Sequence, residues 1–202
     1  MNKINSRLAI LAFATLLLTW LSACAVPPPV PEDNYYQLPT AKIKANAKLL
    51  VNELAVKRLV SDGLHGERAL LFSTAGQALQ LKQYHYHHWS DTPPRMLQEH
   101  LISTLRKANV ANNVFNYDPG QRTELTLSGK IRHFEQTERG NKNEVLVELE
   151  LQLQDKQYKT VLLNDYRVTQ TAKSAKQHDM VIAYGDALNS IINQFIADWS
   201  KK

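Results

Sequence analysis

Residues 144–154 read EVLVELELQLQ. The odd positions Val145, Val147, Leu149, Leu151 and Leu153 are apolar, while Glu148, Glu150, Gln152 and Gln154 stand between them. Successive side chains of a strand point to opposite faces, so a period of two over this length predicts a half-buried β-strand. Leu125, Leu127 and Ile131 continue the pattern upstream, but Phe134 breaks parity and predicts a bulge or twist. Arg139, Gly140 and Asn141 suit the hairpin turn between these two strands. Residues 158–171 return as a third strand, with a parity change expected between Leu163 and Tyr166.

Outward from this hairpin the pattern is looser. Residues 49–60 alternate through Leu50, Leu54 and Val56 and read as a strand, closed by the turn signal Ser61-Asp62-Gly63. Residues 69–73 and 79–89 read as two more, joined near Thr74-Ala75-Gly76. A helix is expected after Thr92, a candidate cap, with Pro93 at its first position, where a missing N–H is tolerated. Leu97, Leu101, Leu105 and Ala108 recur at helical spacing, and the helix should end before Asn112-Asn113. A short strand at 114–117 precedes the turn Asp118-Pro119-Gly120. Near the end, Met180, Tyr184, Ala187, Leu188, Ile191, Ile192, Phe195, Ile196 and Trp199 form one broad apolar stripe that must lie on a sheet. The expected fold class is α+β: a largely antiparallel twisted sheet with two helices packed on one face.

The chain has 202 residues, 44% hydrophobic and 21% charged, enough for one ordinary domain plus a leader. Its formal charge is +5. Without Lys3 and Arg7 it carries 22 basic against 19 acidic residues, or +3, too weak and dispersed to argue for nucleic acid.

Residues 1–7 are short and basic, and residues 8–21 are apolar apart from Thr15 and Thr19, the layout of a secretory signal. The run ends in Leu21-Ser22-Ala23-Cys24, which resembles a bacterial lipobox. In that signal the thiol receives a diacylglycerol, and a peptidase cuts before the cysteine. Two other readings compete: an uncleaved membrane helix over 8–26, or plain secretion with Cys24 as a free thiol. The apolar run is short for a span of roughly 20 residues. Lipidation also accounts for the chain's single cysteine. Each buried methylene contributes about 0.8 kcal/mol, so two or three acyl chains anchor stably where one does not. Ala25, in place of aspartate, favours the outer membrane by the common sorting rule of such signals. Pro27, Pro28, Pro29 and Pro31 favour an extended spacer of about 3.1 Å per residue. The expected organisation is a lipoprotein signal peptide over 1–23, lipidated Cys24 and a Pro-rich spacer over 24–34, and one α+β domain over 35–202.

Chemistry is sparse. There is no Gly-x-Ser-x-Gly elbow, His-Glu-x-x-His pair or phosphate-cradling glycine loop. His85 and His87 share a strand face, and two imidazoles can begin a zinc site, but His88 points away and no acidic partner stands at motif spacing. Glu148 and Glu150 share a face and could be drawn as a catalytic pair, though they read more simply as the wet face of a strand. Lys42, Lys44 and Lys48 could touch anionic headgroups or simply open the domain in solvent. The expectation is therefore a non-enzyme with no catalytic residue, metal or cofactor. Aromatic residues are enriched at interface hot spots, so Tyr35, Tyr36, Tyr84, Tyr86 and Trp89 are candidates for a partner interface, with core packing the competing role.

Several features occur in a recognisable order: the lipobox, then Tyr35-Tyr36-Gln37-Leu38-Pro39 and a strand, then Trp89-Ser90-Asp91-Thr92-Pro93-Pro94 leading through Met96-Leu97 into a helix, and a late helix over 183–199. Together these resemble the ABC-type transport auxiliary lipoproteins, the PqiC-like proteins. His85-Tyr86-His87-His88 lies outside that pattern. The resemblance implies a periplasm-facing lipoprotein held on the outer membrane by its acyl chains. Its implied partners are an MCE-domain protein (PqiB-like) of an inner-membrane complex, with an ABC permease and ATPase in some systems, and no nucleic acid. A homo-oligomer is compatible with it. The implied role is non-enzymatic: docking a periplasmic lipid conduit at the outer membrane. The alternative is an assembly factor or plug lipoprotein of another outer-membrane machine, in lipopolysaccharide transport or secretion.

Overall fold

The computed structural model describes residues 30–45, 48–74, 76–77, 79–139 and 142–202. The leader, Cys24 and most of the proline spacer lie outside them, as do Ala75 and the Gly140-Asn141 turn. Residues Asp33–Lys202 form one unit.

Its backbone is the hairpin read first from the sequence. Strands β7 (Leu125–Arg139) and β8 (Lys142–Asp155) pair antiparallel along their whole length, with Leu127 opposite Leu153, Gly129 opposite Leu151 and Ile131 opposite Leu149. All five apolar odd positions of β8 are fully buried. Strand β9 (Thr160–Thr171) pairs antiparallel with the far edge of β8. The turn between them is held by Asp155 Oδ1, which accepts from the backbone N–H of Gln157 at 2.8 Å and of Lys159 at 3.0 Å, and by Tyr158 at φ +63°.

The parity break at Phe134 is a bulge. Register slips between Ile131 and His133, leaving Arg132 as the extra residue. Phe134 is thereby returned to the core face beside Val147, and His133 and Glu135 are turned to the opposite face. The parity change expected between Leu163 and Tyr166 is absent. Leu162 and Tyr166 both point inward, Leu163 is half exposed, and the register shift falls earlier, beside Leu153/Gln154.

The expectation of a largely antiparallel sheet is corrected. Among the described residues five of the eight strand pairings are parallel, and the sheet is mixed. The free edge of β7 takes three short strands in turn, all parallel to it: β2 (Val51–Val56), β3 (Val60–Ser61) and β4 (Ala69–Ser73). Beyond β2 lies β6 (Ala111–Asn116), also parallel. Beyond β4 lies β5 (Lys82–Trp89), antiparallel, and beyond β5 the parallel strand β1 (Asn34–Tyr36). Alternation reports which face of a strand is buried but not its direction. Direction follows from the crossovers, and residues between β2 and β7 cross over more than once.

Helix α1 (Pro93–Lys107) buries Leu97, Leu101, Leu105 and the following Ala108, as its spacing predicts. Thr92 stands at its N-cap, but its hydroxyl accepts from Arg58 Nη2 at 3.0 Å rather than from the helix. Only its carbonyl serves the helix, accepting from Arg95 and Met96. Asn109 at φ +53° ends the helix in the left-handed conformation common just past a C-terminus. Helix α2 (Gln177–Trp199) buries every member of the predicted stripe, together with Val181, Ala183 and Gly185. Both helices and the inner faces of β2 and β6–β9 contribute to one apolar core. No helix among the described residues is long and apolar enough to cross a membrane.

Candidate functional site

The five aromatic candidates fall around the β1–β5 edge, where the parallel register sets Asn34, Tyr35 and Tyr36 against His87, His88 and Trp89. His87 and His88 of the histidine cluster belong to this seam. Tyr36 Oη and His87 Nδ1 share a 2.8 Å hydrogen bond, and burial raises the Tyr36 hydroxyl pKa above its ordinary value. His88 Nε2 lies 3.1 Å from Asp33 Oδ1, and its ring stands 5.6 Å from that of Tyr35. His87 and His88 thus serve opposite faces, as strand geometry requires, and tie the first strand to the sheet.

The candidates therefore divide by burial. Trp89 is a core residue, 1% exposed, packed against Phe134 and Tyr184. Tyr84 stacks on Phe72 at 4.5 Å and donates its hydroxyl to Gln136 Oε1 at 3.1 Å. Tyr36 packs against the core from its rim. Tyr35 and Tyr86 remain open to solvent, 57% and 45% exposed, and the Arg68 guanidinium lies 5.3 Å from the Tyr35 ring. Glu148 accepts from Arg167 Nη1 at 2.6 Å, and Glu150 is paired with Arg132. Each carboxylate of the imagined catalytic pair is thus committed to a surface ion pair. Lys42, Lys44 and Lys48 are exposed.

One constellation escaped the sequence. The bulge at Arg132 turns His133 and Glu135 onto the face of β7 opposite Phe134. Pairing of β3 with β7 brings the short 3-10 turn Gly63–Gly66, and with it His65, over the same place. Glu135 is 5% exposed. Its Oε2 accepts from His65 Nε2 at 3.0 Å and from the Phe134 N–H at 2.7 Å, and its Oε1 lies 2.6 Å from His133 Nδ1. Burial works to raise the Glu135 pKa, but hydrogen bonds from both imidazoles outweigh it and hold the carboxyl below its usual range. The His133-x-Glu135 spacing, two residues apart on one strand, was the only local signal. His65 is separated from it by the rest of the sheet, and only the fold brings it near.

Fold and surface define a small α+β domain with exposed rings beside its β1–β5 edge. The chain belongs to the family of ABC-type transport auxiliary lipoprotein components, whose model matches residues 36–196. Among solved structures it is similar to protein XCC0632 from Xanthomonas campestris, with a TM-score of 0.69 at 17% identity over 81% of this chain and 92% of that one. An uncharacterized protein gives 0.65 at 14% identity over 83% and 98%. The hypothetical protein CT253 from Chlamydia trachomatis gives 0.50 at 9% identity over 73% and 94%. At these identities the likeness is one of fold. Among curated proteins none is similar enough in sequence to count as a relative.

Proposed function

We propose that this protein is a lipid-anchored periplasmic lipoprotein of the outer membrane. It would act as a non-enzymatic auxiliary component of an MCE/ABC-type intermembrane lipid transport system and dock the periplasmic conduit at the outer membrane. The observation that carries this reading is the family match across residues 36–196. The proposed organisation is a signal peptide over 1–23, acylated Cys24 with its spacer over 24–34, and the docking domain over 35–202. The lipobox-like Leu21-Ser22-Ala23-Cys24 supports the anchor, and Ala25 the outer membrane.

The surface supports a docking role. Among the described residues strands β1, β6 and β9 end their rows in the sheet, so each presents an edge to which an MCE-domain partner could add a strand. Tyr35 and Tyr86, exposed beside the β1 edge, are the aromatic anchors of that interface. The partner is an MCE-domain protein (PqiB-like), working with an ABC permease and ATPase where the system has them.

Membrane fractionation of Cys24→Ser tests the anchor. The expected result is a chain that is released from the outer membrane or left unprocessed. Recovery of the variant in the outer membrane at mature size would overturn it.

A further inference from the structure

We propose that His65, His133 and Glu135 form a divalent-metal site of the zinc class. The three residues offer two imidazole nitrogens and one carboxylate oxygen, all within 4.8 Å of one another. A tetrahedral ion with bonds of about 2.0–2.1 Å holds its donors roughly 3.3 Å apart. The imidazole nitrogens now stand at hydrogen-bond distance from the two carboxylate oxygens, His65 Nε2 to Glu135 Oε2 at 3.0 Å and His133 Nδ1 to Glu135 Oε1 at 2.6 Å, so an ion replacing those protons would spread the donors by less than about 1 Å. His65 sits on a short turn and His133 is partly open to solvent, so neither imidazole is locked inside the apolar core.

Three further features favour a metal over a simple ion pair. Glu135 is buried, unlike the solvated acids that gather on protein surfaces. Two imidazoles converge on that carboxylate from separate elements, His65 from the Gly63–Gly66 turn and His133 from β7. The Phe134 N–H fixes the carboxylate from behind, the outer-shell support that metal-bound carboxylates receive. Two imidazoles and a carboxylate suit zinc and its neighbours among the divalent transition ions rather than calcium or magnesium. Water reaching past the outer edge of His133 would complete the coordination. The bound ion would clip the Gly63–Gly66 turn to β7.

The test uses the mature lipoprotein in detergent, stripped with a chelator and titrated with Co²⁺ and then Zn²⁺. The expected result is one Co²⁺ per chain with the visible absorption of a tetrahedral site, displaced by Zn²⁺. His65→Ala and Glu135→Gln should weaken binding at least about tenfold, while a combined His85→Ala, His87→Ala, His88→Ala variant binds as before. Histidine modification on the unaltered chain, read by peptide mass, locates the site even if a variant fails to fold. Zn²⁺ should protect His65 and His133 but not His85. Absence of the absorption band, or protection confined to residues 85–88, would overturn the proposal.

Discussion

A Cβ atom on Gly185 would stand 2.2 Å from Cγ of Pro39, so helix α2 meets the segment following β1 at the one point where the helix carries no side chain. This contact closes the N-terminal strap over the core, where Leu38 also packs. Alanine normally improves a helix interior over glycine by about 1 kcal/mol. Gly185→Ala should do the reverse here, because overpacking of this kind costs about 1–3 kcal/mol. The denaturant midpoint should fall in the single variant and recover in Gly185→Ala combined with Pro39→Ala. A single variant as stable as the original chain would show that the strap does not bear on α2.

Trp89, Phe134 and Tyr184 form a closed aromatic triad with ring centroids 5.2, 5.1 and 4.6 Å apart. Trp89→Ala should cost about 3–5 kcal/mol of unfolding free energy, as large aromatic truncations in a core do. Equilibrium urea unfolding reads this directly. A variant of unchanged stability that loses its partner would instead restore Trp89 as an interface residue.

His100 of α1 is buried, and its Nε2 has no hydrogen-bond partner. Burial, assisted by the charge of Lys107, pushes the imidazole down to about 4 from an ordinary 6.5. Between those values the unfolded chain binds a proton that the folded chain refuses, so stability rises with pH there. Acidification from about 6.5 to 4 should therefore remove up to about 3 kcal/mol through this one residue. His100→Leu should flatten that part of the stability–pH curve and raise the melting temperature at pH 5. An unchanged slope in His100→Leu would assign the acid sensitivity elsewhere.

The sequence revealed those elements whose burial pattern is written locally. The alternation of 144–154, the off-parity Phe134 and the apolar stripe of α2 all reappear as strand, bulge and helix because each reflects one continuous interface. Leu163 misled because an apolar side chain on an outer strand face looks the same in sequence as a buried one. The parallel pairings of β2, β3 and β4 were hidden, since strand direction depends on contacts between distant segments. The same holds for function. Tyr35, Tyr86 and Trp89 look alike in sequence, and only the fold separates the two exposed rings from the core one. His65 joins His133 and Glu135 solely through the β3–β7 pairing, which no local spacing encodes.

The docking role rests on contact between this domain and an MCE-domain partner, and site-specific photocrosslinking in intact cells tests that contact most directly. A photoreactive phenylalanine analogue replacing Tyr86, and separately Tyr35, places the probe on the two exposed rings beside the β1 edge. A covalent adduct whose mass spectrum identifies an MCE-domain protein is the predicted result. Adducts formed only with components of an outer-membrane assembly or lipopolysaccharide-transport machine would contradict it.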